Sequence, residues 1–70
     1  MITEQLDNWF SYHAPNTDDL VRYQTLRDAA RDFAEVINAL CPESADKTAA
    51  IRKVREATMT ANAAIACKGK

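Results

Sequence analysis

Residues that break helices stand at only three places in this 70-residue chain, Pro15, Pro42 and Gly69. Proline lacks the backbone N–H that a helix needs, and it biases the residue before it towards an extended conformation. The stretches 16–41 and 43–68 contain no such residue, so each can form one long helix. The short connection at Pro42 makes these two helices antiparallel neighbours. We therefore predict an all-α protein, a short N-terminal helix followed by a long antiparallel helical hairpin, as a single domain over residues 1–70.

Capping signals place the first two helices. Thr3 is the expected N-cap of a short helix over Glu4–Phe10, and Asn16 is the expected N-cap of helix two, which ends at Cys41. The apolar residues of helix two recur at spacings of three and four, as in an amphipathic helix. We expect its inner face to consist of Leu20, Tyr23, Leu26, Ala30, Phe33, Ile37 and Leu40.

Helix three is expected to begin after the N-cap Ser44 and to run to about Ala66, with a fraying tail behind it. Its inner face should consist of Ile51, Val54, Thr58, Ala61 and Ile65. The segment Ala57–Ala66 carries no charge and is small or apolar on every side, which is typical of a helix buried all round. One partner helix cannot cover it, so we predict a homo-oligomer. A loosely packed monomer with an open alanine face is the alternative.

Charge and cysteine usage exclude several classes of protein. The formal net charge is −1, whereas proteins that bind duplex DNA without regard to sequence carry a basic surplus, so we expect no DNA partner. Cys41, Cys67 and a single histidine do not supply a metal site or a disulfide scaffold, and the cysteines are interpreted as small apolar residues. We find no signal peptide and no stretch that could span a membrane, so we expect a soluble, cytoplasmic protein.

The sequence offers little to a catalytic mechanism. A nucleophile needs a base positioned by a third group, and His13 is the only imidazole, standing in a connector beside Ser11 and Tyr12. The chain has no glycine-rich phosphate loop, because its one glycine is at position 69. We therefore predict that the protein is not an enzyme and uses no cofactor.

The stretch FSYHAP, with Trp9 before it, concentrates three of the five aromatic residues next to the only histidine. Trp9 and Phe10 are expected mainly to anchor the short helix. Tyr12 lies in a connector and not on a helical stripe, so its ring can offer a flat face on which a nucleobase stacks. Its neighbours Phe10, His13 and Pro15 are further candidate ligand contacts.

Two arginines and two uncharged polar residues complete the candidate site. Arg27 lies at the edge of the apolar stripe of helix two, and Arg31 follows one turn later at its rim. Arg27 can pair with a carboxylate of another copy, reach water, or bind a phosphate through its two-pronged guanidinium. Thr58 and Asn62 can bond to each other or to backbone, or read the edges of bases. Across a two-fold axis, paired tyrosines and arginines would suit a ligand with two bases and two phosphates.

Three segments together resemble the small phage-encoded anti-CBASS proteins that sequester cyclic oligonucleotides. They are FSYHAP, YQTLRDAARDFAEVINALCPES and TAAIRKVREATMTANAAIA, and the likeness covers residues 6–66. The resemblance implies a helical protomer, a hexamer built from dimers and trimers, and binding without catalysis in the host cytoplasm. It implies that Tyr12 stacks on the bases and that Arg27, where lysine is commoner, contacts the phosphate.

The expected ligands are cyclic dinucleotides such as 3′,3′-cyclic GMP–AMP, whose capture would block the effector of the defence system. Some members of the family also hold cyclic trinucleotides in a separate pocket. Thr60 and Cys67 depart from the family pattern, in which tryptophan and arginine are usual, and this puts that second site in doubt. The alternative function is a helical adaptor or virion accessory protein that binds protein partners through its apolar faces.

Overall fold

The computed structural model describes residues 2–70, which form three α-helices and no strand. Helix α1 spans Thr3–Trp9, α2 spans Thr17–Leu40 and α3 spans Ala45–Ala66. Helices α2 and α3 pack against each other as a hairpin, so the predicted all-α hairpin is confirmed. None of the helices in this part of the chain combines the length and apolarity that a bilayer crossing requires.

Side-chain caps start both helices of the hairpin as the sequence predicted. The side chain of Asn16 accepts a hydrogen bond from the backbone N–H of Asp19 at 2.8 Å, and the Asp19 carboxylate accepts one from the backbone N–H of Asn16 at 3.3 Å. This reciprocal capping box satisfies two backbone donors that would otherwise lack partners. Ser44 caps α3 in the simpler way, its hydroxyl accepting from the N–H of Lys47 at 3.1 Å.

The start of α1 differs from the prediction. Thr3 is the first helical residue and not the N-cap, a position that Ile2 occupies without any side-chain bond. The carbonyl oxygen of Ile2 accepts hydrogen bonds from the N–H groups of Gln5 and Leu6, both at 3.1 Å. Backbone bonds alone therefore set this start, and the helix lies one residue earlier than Glu4–Phe10.

The hairpin's turn is made at Pro42. Cys41 adopts an extended conformation (ψ 137°), as the steric demand of a following proline requires, and its N–H still bonds the carbonyl of Ile37 at 3.0 Å. Helix α2 therefore ends at Leu40, one residue before the predicted Cys41. The N-cap Ser44 lies two residues beyond Pro42, which leaves room only for a tight reversal.

The tail behind α3 is ordered, and the expectation that it frays is wrong. The N–H of Gly69 bonds the carbonyl of Ala64 at 2.9 Å, and that of Lys68 bonds Ile65 at 3.1 Å, the pattern of a Schellman motif. The indole N–H of Trp9 also donates to the carbonyl of Lys70 at 2.9 Å. The tail therefore joins α1 to the open end of the hairpin.

Very little of the chain is buried within one protomer. Ile37 is the buried apolar residue among residues 2–70, and Lys47, whose ammonium pairs with the Glu43 carboxylate, is the buried charged one. The accessible surface is 5776 Å², whereas a folded monomer of 7.8 kDa is expected to expose roughly 4,400 Å². The molecule is a slab with extents of 45 × 29 × 15 Å, about one helix and a half thick.

The predicted inner face of α2 is therefore only partly covered. Leu20, Phe33 and Leu40 were expected inside, and all three are exposed in the protomer. A single partner helix covers one side of another helix and leaves the flanks of a wide apolar stripe open. The inner face of α3 is better protected, since its five predicted members are all partly buried.

Replacing the capping residue tests how much local signals contribute to the fold. Asn16→Ala should lower the free energy of unfolding by about 1 kcal/mol, because it removes the capping box. Asn38→Ala, the same change at an exposed position inside α2, should leave the stability unchanged or slightly higher, since alanine is the better helix former. Urea unfolding at one fixed protein concentration measures both, and equal stabilities of the two variants would contradict a capping role for Asn16.

Candidate ligand-binding site

Tyr12 stands on a connector that is tied to the preceding helix. The hydroxyl of Ser11 donates to the backbone carbonyl of Asp7, and the Nε2 atom of His13 lies 2.5 Å from the carbonyl oxygen of Asn8. These two contacts flank Tyr12 on both sides in sequence. Its own side chain is 86% exposed, so the ring projects from a tethered segment and is little covered within the protomer.

The two helices of the hairpin form a groove lined by guanidinium groups, which we call the basic groove. It encloses about 530 Å³, within the range of sites for small ligands. Its lining comes from both helices and consists of Arg27, Asp28, Ala30, Arg31, Ala34, Ile51, Val54, Arg55, Thr58 and Met59. An apolar floor with three cations and one carboxylate along it suits an anion that also has a flat apolar part.

The two α2 arginines that line this groove each bond an exposed neighbour on their own helix. Arg27 donates to the Oε1 atom of Gln24 at 3.2 Å, and Arg31 donates to the Oε1 atom of Glu35 at 3.0 Å. Exposed pairs of this kind contribute at most about 1 kcal/mol each. A ligand phosphate can therefore compete for either guanidinium at little cost.

A second groove, which we call the apolar groove, encloses about 600 Å³ and contains one charged residue, Lys53. Its other lining residues are Leu26, Ala29, Ala30, Phe33, Ile37, Ala50, Val54, Ala57, Thr58 and Ala61. Ala30, Val54 and Thr58 line both grooves. The hairpin is therefore a single layer of two helices, and the two grooves lie on either side of the line along which the helices pack.

Thr58 and Asn62 differ in how their polar atoms are satisfied. The Thr58 hydroxyl donates to the carbonyl of Val54 on its own helix at 2.9 Å, which is the backbone bonding that the sequence allowed for. The Oδ1 atom of Asn62 is buried and accepts no hydrogen bond from residues 2–70. A buried amide oxygen without a donor is energetically unfavourable.

Phe10 does not anchor α1. Its side chain is 83% exposed, and with Trp9 it borders a hollow at the end of the hairpin whose other members include Thr60 and Cys67. Trp9 is the residue that anchors, through its bond to the tail. The expectation of two hydrophobic anchors is therefore wrong for Phe10, and Trp9, whose side chain is 46% exposed, is tied by its N–H group.

Seven of the eight predicted site residues fall into two groups within one protomer, and the eighth, Asn62, lies on α3 outside the lining of the basic groove. Arg27, Arg31 and Thr58 meet in the basic groove, although they come from two helices. The second group lies at the C-terminal end of α1 and in the connector before α2, and consists of Phe10, Tyr12, His13 and Pro15. Arg27 lies ten residues beyond the start of α2, about 15 Å along the helix, and no residue of the connector lines the basic groove of the same copy.

Arg55 is a groove residue that the sequence analysis did not select. It follows Val54 directly and precedes Thr58 by three residues, so it flanks the inner stripe of α3 as Arg27 flanks that of α2. That position beside the inner stripe could have identified Arg55 from the sequence as a candidate site residue. Among residues 2–70, no three His, Cys, Asp or Glu side chains converge as the ligands of a metal ion would.

Fold and grooves together define a helical-hairpin binding protein with an exposed aromatic ring and a cationic groove. A family model described as "Acb2/Tad1, hairpin domain" matches residues 3–66, and the chain belongs to this family. Membership implies the role of an anti-CBASS sponge, a protein that binds cyclic nucleotides and is not an enzyme. Comparison with curated proteins and with solved structures gives no match.

Proposed function

We propose that this protein captures cyclic dinucleotides of the 3′,3′ type, including cyclic GMP–AMP, in the cytoplasm of an infected host and releases them unchanged. Capture would keep the signal from the CBASS effector without any bond being cleaved. The observation that carries the proposal is the exposed ring of Tyr12, held on a tethered connector in a member of this family.

Stacking on Tyr12 is the first part of the mechanism. A nucleobase that covers an aromatic ring gains about 1–3 kcal/mol, and a ring that is already exposed has no protein contact to lose. The contacts of Ser11 and His13 with the carbonyls of α1 restrict the connector before the ligand arrives. Less ordering on binding means a smaller entropic cost and therefore a tighter complex.

Charge is the second part. Arg27, with Arg31 one turn further along the groove, would bind the phosphates of the ligand through charge-assisted hydrogen bonds. Thr58, which lines the groove, and Asn62, one turn later on α3, would be the polar groups that read base edges. Phe10, His13 and Pro15 would border the base that stacks on Tyr12. No cofactor or metal enters this scheme.

Assembly is the third part, because the connector and the basic groove of one copy lie apart. A homo-oligomer, a hexamer by family resemblance, would bring Tyr12 of one copy to the ligand held by another and would place two of each site residue around a two-fold axis. The apolar groove and the large exposed area support association, since both leave apolar surface for a second copy to cover.

A capture-and-release experiment tests the function. Purified protein is incubated with 3′,3′-cyclic GMP–AMP, washed by gel filtration and heat-denatured, and the supernatant is analysed by liquid chromatography. We expect intact ligand in an amount set by the number of sites. A protein adaptor or virion accessory protein, which the apolar groove would also suit, would retain no nucleotide, and an enzyme would return an altered one. Either result contradicts the proposal.

Truncating Tyr12 tests the stacking. Tyr12→Ala should lower the affinity for 3′,3′-cyclic GMP–AMP by about 1–3 kcal/mol in titration calorimetry, because the base loses its aromatic platform. Tyr12→Phe is the matched control and should bind nearly as well, since it keeps the ring. The fold and mass of both variants should be unchanged because the side chain is 86% exposed in the protomer. Wild-type affinity in Tyr12→Ala would exclude stacking at this position.

A further inference from the structure

We infer that Arg55 is a third phosphate-binding residue, which grips the ligand from the wall of the basic groove opposite Arg27. The inference rests on the function proposed above and adds a specificity-determining residue to it. Arg27 and Arg31 line the groove from α2, and Arg55 lines the same groove from α3. An anion lying between the helices would thus meet cations on both sides.

Charge balance within the groove supports this role. Three guanidinium groups and the Asp28 carboxylate are its charged members, which leaves a formal charge of +2 in a chain whose net charge is −1. Like charges gathered along one groove repel one another unless an anion neutralises them. The two phosphodiester groups of a cyclic dinucleotide carry a charge of −2, which balances the groove.

Arg55 is also the least engaged of the three arginines. Arg27 bonds Gln24 and Arg31 bonds Glu35, whereas Arg55 makes no hydrogen bond or ion pair with any of residues 2–70. The Asp28 carboxylate in the same groove accepts instead from the Nε2 atom of Gln24 at 2.8 Å. Since the Arg55 side chain gives up no protein partner on binding, its bond to a phosphate replaces only bonds to water.

The geometry also predicts selectivity for doubly charged cyclic ligands. Guanidinium groups on both walls can each bind one of the two phosphates of a cyclic dinucleotide, whereas a cyclic mononucleotide has a single phosphate. Loss of Arg55 should therefore lower the affinity for a cyclic dinucleotide more than the affinity for a cyclic mononucleotide. A purely structural role for Arg55 would not produce this difference.

Titration calorimetry with 3′,3′-cyclic GMP–AMP and with cyclic AMP tests the assignment, using the wild type, Arg55→Gln and Arg52→Gln. Arg52 lies three residues earlier on α3 and outside the basic groove, so its variant controls for the lost charge. Arg55→Gln should lower the affinity for cyclic GMP–AMP at least tenfold, and Arg52→Gln should lower it less than twofold. The affinity of the wild type should fall more steeply with salt concentration than that of Arg55→Gln, because the variant has one ionic contact fewer for salt to screen.

Each other outcome has a definite meaning. Equal weakening by the two variants, or wild-type affinity in Arg55→Gln, would overturn the role of Arg55 and leave the proposed function intact. A smaller particle mass for Arg55→Gln in light scattering would overturn it too, since Arg55 would then pair with a neighbouring copy. If the wild type binds no cyclic GMP–AMP, the proposed function fails and this inference fails with it.

Discussion

Two helices lying side by side can cover only one flank of each other, and this geometric limit governs the whole molecule. Helices α2 and α3 form a layer about 15 Å thick in which Ile37 is the buried apolar side chain among residues 2–70. The surface exceeds that of a folded monomer of the same mass by roughly 1,400 Å². Chains this small, with so little core, commonly need a disulfide, a metal or an oligomer to be stable.

The same limit explains what the sequence could and could not predict about the fold. Local chemistry at Asn16, Pro42 and Ser44 determines where the hairpin helices begin and turn, so their bounds were predicted to within one residue. Thr3 failed as a cap because the carbonyl of Ile2 alone starts α1. The exposure of Phe33 was not predicted, because the spacing of apolar residues shows which face of a helix is apolar. It does not show how many neighbouring elements cover that face.

The candidate site was predictable in its parts and not in its arrangement. Tyr12 was selected because it lies off any helical stripe, and the structure shows its ring exposed. Arg27 and Thr58 line one groove only because of the register between two helices, and a single sequence does not state that register. Arg55 could have been selected from its position beside the inner stripe of α3, but that it shares a groove with Arg27 follows only from the register. The roles of these residues in binding stay predictions until a ligand is measured.

The central claim is that one copy is incomplete and that the functional unit is a closed assembly. Size-exclusion chromatography with light scattering across a hundredfold dilution tests it most directly. The account predicts one sharp species of several copies, about 47 kDa for six chains of 7.8 kDa, that keeps its mass on dilution. A stable helical species of 7.8 kDa at every concentration would contradict it, because the exposed apolar surface would then need no second copy.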